Sequence, residues 1–178
     1  MKTYTLNVAG LTRELPLCEA NEHLDIAAFV MFSDVELTVA VTEELLKKCP
    51  DYDIIVTAES KGIPLAYEAA RQSGKRYIVG RKSTKLYMTD PIAVKVKSIT
   101  TAKEQTLYLS HEDAEELRGK RVLILDDVIS TGESLLALEK LVNEAGGVIA
   151  AKAAVLSEGQ AAQRDDIVFL EALPVFPK

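Results

Sequence analysis

The sequence predicts an α/β fold, a parallel sheet with helices on both faces. Short β-branched or apolar runs at 53–58, 76–80, 121–125 and 148–156 alternate with segments of helical period at about 34–48, 62–73 and 133–145. Such alternation builds parallel strands joined by crossover helices. A chain of 178 residues, 48% hydrophobic and 27% charged, has the size and composition of one folded domain. The two ends, about 1–32 and 158–178, fall outside the alternation. They are expected to form a small hood beside a core of about 33–157, within a single domain 1–178.

Each element has its own signal. Tyr4, Leu6 and Val8 alternate with polar residues, Ala9-Gly10 turns, and 11–17 extends again, which reads as a hairpin. Residues 23–32 fit a short helix or an irregular segment alike. Ser33-Asp34-Val35-Glu36 fits a capping box, and Pro50 stops the helix that follows. Gly74 ends the helix at 62–73. Residues 81–91 read as a loop, and 92–99 with 105–110 as two strands joined by a polar turn. The segment 111–117 is a short helix stopped by Gly119. Gly146-Gly147 closes the helix at 133–145, and 167–170 is a candidate last strand.

Composition excludes several classes. Twenty-one basic residues against 27 acidic give a net charge of −6, which disfavours a nucleic-acid-binding protein. Cys18, Cys49, His23 and His111 offer no C-x-x-C pair and too few ligands for a zinc site, so no protein-held metal is expected. The longest apolar runs fall far short of a membrane span, and residues 1–8 run straight into strand pattern. A cytoplasmic protein without membrane contact is expected.

The charge is uneven. Residues 71–103 hold nine basic residues and one acid, Asp90, a net of +8, so the remainder carries −14. A solvated face explains such a window as well as a site for a compact polyanion does. Its position at strand-to-loop transitions favours the anion, since α/β sheets hold ligands at the carboxyl ends of their strands.

The most informative string is residues 122–134. An apolar strand ends in Asp126-Asp127, and Ser130-Thr131-Gly132-Glu133-Ser134 then turns into a helix. A small-residue turn at a helix N-terminus offers unpaired N–H groups and the positive end of the dipole, which suit a phosphate. Thr131 and Ser134 add hydroxyls, and Gly132 allows close approach. The two carboxylates would repel a phosphate. They suit sugar hydroxyls or a water-held Mg²⁺. Neither a Walker loop nor a dinucleotide fingerprint is present.

This string resembles the phosphoribosyl pyrophosphate (PRPP) motif of type I phosphoribosyltransferases. Glu59-Ser60-Lys61-Gly62 resembles the family's pyrophosphate loop. Arg81-Lys82 with Lys85-Leu86 resembles the flexible-loop start of its adenine and xanthine branch. The resemblance covers about 50–158. It implies a five-stranded parallel sheet with a hood from the chain ends, and a flexible loop of about 82–110, with Thr100-Thr101-Ala102 at the tip of a lid.

It also implies a reaction: a purine base and PRPP give a nucleoside 5′-monophosphate and pyrophosphate. Asp126, Asp127, Lys61 and Arg81 are the implied catalytic residues. Ser60, Lys61, Gly62, Arg81, Lys82 and Lys85 would meet the pyrophosphate, with substrate-bound Mg²⁺ bridging its oxygens. Asp126 and Asp127 would hold the ribose, and Ser130, Thr131, Gly132, Glu133 and Ser134 the 5′-phosphate. Asn21, Phe29 (or Phe32) and Glu158 are the base-binding candidates. The lid segment 99–103 lacks the Glu expected of adenine enzymes. Glu158 stands where xanthine enzymes carry Lys, and a carboxylate favours an amino-bearing purine. Adenine is the base expected first, with xanthine or guanine the alternative. A PRPP-sensing regulator is a further reading, and a pyrimidine enzyme ranks lower. A homodimer is implied by resemblance alone.

Overall fold

The computed structural model describes residues 2–97 and 104–178. The chain opens with an antiparallel hairpin, β1 (Thr3–Val8) and β2 (Leu11–Asn21). Its turn residues Ala9 and Gly10 both have positive φ, the twist a tight hairpin needs. The segment left open by its sequence is a strand, β3 (Leu24–Ala27), followed by irregular chain. Helix α1 (Val35–Lys48) is capped one residue later than the capping box predicts. Ser33 sits at φ 67, and Asp34 Oδ1 accepts from the Leu37 N–H at 3.0 Å.

Then follow β4 (Ile54–Ala58), α2 (Ile63–Ser73) and β5 (Arg76–Gly80). A two-stranded ribbon comes next, β6 (Ile92–Lys97) and β7 (Glu104–Leu109). The predicted lid tip, Thr100-Thr101-Ala102, lies outside the described residues. Helix α3 (His111–Leu117), β8 (Arg121–Ile129), α4 (Glu133–Glu144) and β9 (Val148–Glu158) complete the alternation. A 3-10 turn, Gly159–Gln163, leads to β10 (Val168–Leu173) and β11 (Val175–Pro177).

The core sheet has the order β10-β9-β8-β4-β5, all parallel. Its strands are nearly continuous apolar runs because both faces are covered; every residue of β4 is buried. Ile54, Val56, Val122 and Ile124 face α3, α4 and the ribbon. Ile55, Leu123 and Leu125 face α1, α2 and the hairpin. The order reverses between β4 and β8. That crevice, at the carboxyl ends of the strands, is where open α/β sheets hold ligands.

The ribbon is anchored. Val94, Val96, Leu107 and Leu109 are buried in the core cluster beside α4, and Arg81 and Tyr108 exchange backbone hydrogen bonds at 2.9 and 2.8 Å. The apolar inner face of the ribbon thus packs against the core. A second sheet, β1-β2-β3-β11, is built from both ends of the chain, while β10 joins the core sheet. Arg13 ties it to α1, with Nε 2.7 Å from Asp34 and Nη2 2.8 Å from Glu36. Among the described residues no helix is long and apolar enough to cross a membrane.

Candidate active site

A cavity of about 360 Å³ opens over the β4–β8 crevice. β4 runs into Glu59, Ser60 and Lys61; β8 contributes Asp126 and Asp127; Ser130 and Ser134 come from the turn into α4. Ile26 of β3 and Phe29 just after the strand form the opposite wall, beside Glu158 at the end of β9. Lys82 reaches in from the loop after β5. Four lining carboxylates (Glu59, Asp126, Asp127, Glu158) thus face two lining ammonium groups.

The loop 59–62 is held tightly. The Glu59–Ser60 peptide is cis. Gly62 has an ordinary φ, so a positive φ does not explain its glycine. A Cβ there would stand 2.3 Å from Thr57 Oγ1 and 3.4 Å from Asp126 Oδ1. The glycine lets the start of α2 lie directly on β4 and β8. Lys61 is half-exposed, with Nζ 3.8 Å from Asp127 Oδ2.

Asp126 and Asp127 lie inside β8, which continues through them to Ile129 rather than ending before them. Asp127 is buried, and its Oδ2 has no hydrogen-bond partner in the chain. The Asp127 N–H donates to Asp126 Oδ1 at 2.9 Å. Burial, and then the Asp127 charge beside it, push the Asp126 carboxyl well above the ordinary carboxylate range. Neighbouring carboxylates resist losing both protons together.

The turn into α4 forms a hollow of about 90 Å³ lined by Asp126, Ser130, Thr131, Gly132 and Ser134. Gly132 adopts φ 82 at the N-cap. The Glu133 N–H donates to Thr131 Oγ1 at 3.4 Å, and the 12-residue helix presents the positive end of its dipole to an anion. Glu133 lines a neighbouring open depression, with Thr131 and Glu158.

Some predicted residues stay outside. Asn21 does not line the cavity. Its Oδ1 accepts from the His23 N–H at 2.9 Å, the turn role its residue type favours. Phe32 is 49% exposed and lines a separate groove, whereas Phe29 is buried against the cavity. Lys85 is half-buried and donates to Ser83 Oγ at 3.0 Å. Arg81 is turned away. Its Nε pairs with Glu59, and Nη1 donates to Tyr87 Oη at 2.5 Å. The basic window is likewise partly neutralised: Arg71, Arg76 and Lys95 pair with Glu68, Glu116 and Glu104.

Sequence reasoning missed two residues. Glu59 stood in the quoted loop without a role, and its signal is its place after β4, level with Arg81 after β5. Arg164, fixed to Asp166 at 2.7–2.8 Å, brings Nη1 to 3.0 Å from where a Gly132 Cβ would stand. No local pattern marks it.

Comparison with known proteins gives a consistent family. The family described as "Phosphoribosyl transferase domain" matches residues 32–174. The chain is 33% identical over 126 residues to an adenine phosphoribosyltransferase of Nocardia farcinica, covering 71% of this chain and 64% of that protein. It spans less than two thirds of that relative's length. It is 29% identical over 152 residues to a xanthine phosphoribosyltransferase of an Exiguobacterium species, covering 84% and 78%. The fold is shared with the crystal structure of adenine phosphoribosyltransferase from Thermoanaerobacter pseudethanolicus. There the TM-score is 0.72 at 20% identity, covering 89% of this chain and 95% of that one.

Proposed function

Because this chain belongs to the phosphoribosyltransferase family, in its adenine- and xanthine-like branch, we propose that it transfers a 5-phosphoribosyl group from PRPP to a purine base. The observation that carries this reading is the cavity at the β4–β8 crevice. Paired carboxylates, a helix N-terminus and a lysine loop converge there.

The 5′-phosphate sits at the hollow of residues 130–134, on the N–H groups opening α4. Asp126 and Asp127 accept hydrogen bonds from the ribose hydroxyls, which satisfies the unpartnered Asp127 Oδ2. The pyrophosphate meets Lys61, Lys82 and the backbone of Ser60 and Gly62, with Arg81 and Lys85 arriving from the adjoining loop. In the reaction the bond from ribose C1 to the pyrophosphate oxygen breaks and a bond from C1 to a ring nitrogen of the base forms. That nitrogen's proton is lost. Negative charge grows on the leaving pyrophosphate, so cations held there stabilise the transition state.

The lining fits a metal carried by the substrate: Glu59, Asp126, Asp127 and Glu158 supply carboxylates, and the buried Asp127 Oδ2 has no hydrogen-bond partner in the chain. Asp126 and Asp127 are the groups that would meet Mg²⁺ beside the ribose. When bound, Mg²⁺ neutralises phosphate charge.

For the base, Glu158 supports an amino-bearing purine, adenine first. Ser130 Oγ donates to Glu158 Oε1 at 2.8 Å, which fixes the carboxylate at the cavity edge as a hydrogen-bond acceptor. Phe29 supplies an apolar wall. The same reading includes a second copy of the chain, seated on the groove of Phe32, Val35 and Tyr67 that begins at Ile63–Pro64, just beyond the 59–62 loop.

The test is pyrophosphate release from PRPP and Mg²⁺ with adenine, guanine, hypoxanthine, xanthine, orotate and uracil offered singly. Turnover with adenine is expected. Loss of at least 100-fold is expected in Asp126→Asn with Asp127→Asn, since two transition-state contacts go together. Full activity in that double variant would refute the site. PRPP binding without turnover on any base would favour a regulator.

A further inference from the structure

Glu59 directly follows β4, and Arg81 directly follows β5. The strands pair in parallel with Ala58 opposite Gly80, so the two residues stand level at the carboxyl edge of the sheet. The Glu59 N–H donates to Gly80 O at 3.0 Å. The Glu59 carboxylate accepts from Arg81 Nε and, through Oε2, from the Lys82 N–H at 3.3 Å. It lines the cavity, whereas the arginine does not.

We propose that Glu59 is an internal anion that occupies Arg81 and the Lys82 N–H until the pyrophosphate group of the substrate displaces it. This rests on the phosphoribosyltransferase reading of the cavity. A guanidinium paired with a carboxylate offers a ligand little net charge. An incoming phosphate on the same donors would also meet Glu59 as a like charge. Both conflicts end when Glu59 turns away. The exchange favours a dense polyanion over a single carboxylate, because more charge and more acceptor oxygens reach the same donors. A ligand without the pyrophosphate has nothing to trade. Ribose 5-phosphate would reach the 130–134 turn and leave the pair intact, so the device distinguishes donor from sugar phosphate.

Calorimetric titration of the protein, in buffer containing Mg²⁺, with PRPP, inorganic pyrophosphate and ribose 5-phosphate tests it. Glu59→Gln is expected to tighten PRPP and pyrophosphate about tenfold, one charge-assisted hydrogen bond no longer being exchanged, with ribose 5-phosphate unchanged. The gain is expected to vanish when Arg81→Ala is also present. Glu59→Ala, which frees Arg81 outright, should tighten PRPP at least as much. It keeps the test should the Gln amide oxygen retain the pair. Unchanged or weaker PRPP binding in both variants overturns the proposal and makes Glu59 a positioning residue. An equal gain for ribose 5-phosphate, or a gain that survives Arg81→Ala, overturns it as plain removal of charge. A wild-type protein that binds neither PRPP nor ribose 5-phosphate refutes the reading of the cavity itself, and the proposal with it.

Discussion

Asp126 carries a cost that the unfolded chain does not. Its carboxyl is raised by burial and by Asp127, so between pH 4 and the raised value the folded chain binds more proton than the unfolded one. Stability contributed here therefore falls as pH rises. Asp126→Asn keeps an acceptor for the Asp127 N–H and removes the charge. It is expected to raise Tm by about 3 °C or more at pH 8 and to change it little at pH 4. Scanning calorimetry across that range checks this; equal shifts at both ends would remove the charge as the cause. The pair was legible in sequence as adjacent carboxylates at a strand end. The raised Asp126 carboxyl was not, because its burial belongs to the folded chain.

Elements were read well where local rules decide and poorly where distant packing does. Strands β4, β5, β8 and β9 announced themselves as apolar runs, and Gly74 at φ 70 ends α2 as expected. Residues 23–32 could not be assigned, because β3 is a strand only through its partners β2 and β11. The ribbon's alternation puts Val94, Val96, Leu107 and Leu109 inward. Their burial is worth on the order of 2 kcal/mol each, enough to hold the ribbon down. Hydrogen exchange at β6 and β7 is expected to be within about tenfold of that in β5, without ligand. Exchange within seconds along both strands would favour a ribbon-wide lid. In the site, the 122–134 string was plain because one continuous segment carries it. Glu59 was not, because its meaning lies in the register of two strands.

At the scale of the whole molecule, an acidic chain carries an acid-rich cavity, so the proposed polyanionic substrate would depend for affinity on the cations that travel with it. A second copy of the chain is the occupant proposed above for the apolar groove of Phe32, Val35 and Tyr67. Phe32→Asp is expected to shift the protein from dimer to monomer in sedimentation while leaving the melting cooperative. An unchanged dimer would place the contact elsewhere. The sheet shared by the two ends of the chain bears on timing. Ile26 pairs with Val175, so the wall of the cavity next to Phe29 is complete only when residues from both ends have met. On a ribosome, about ten seconds separate the emergence of those two strands. Through that interval β3 waits for β11, and the aspartate pair and the turn into α4 are made before the wall opposite them is complete.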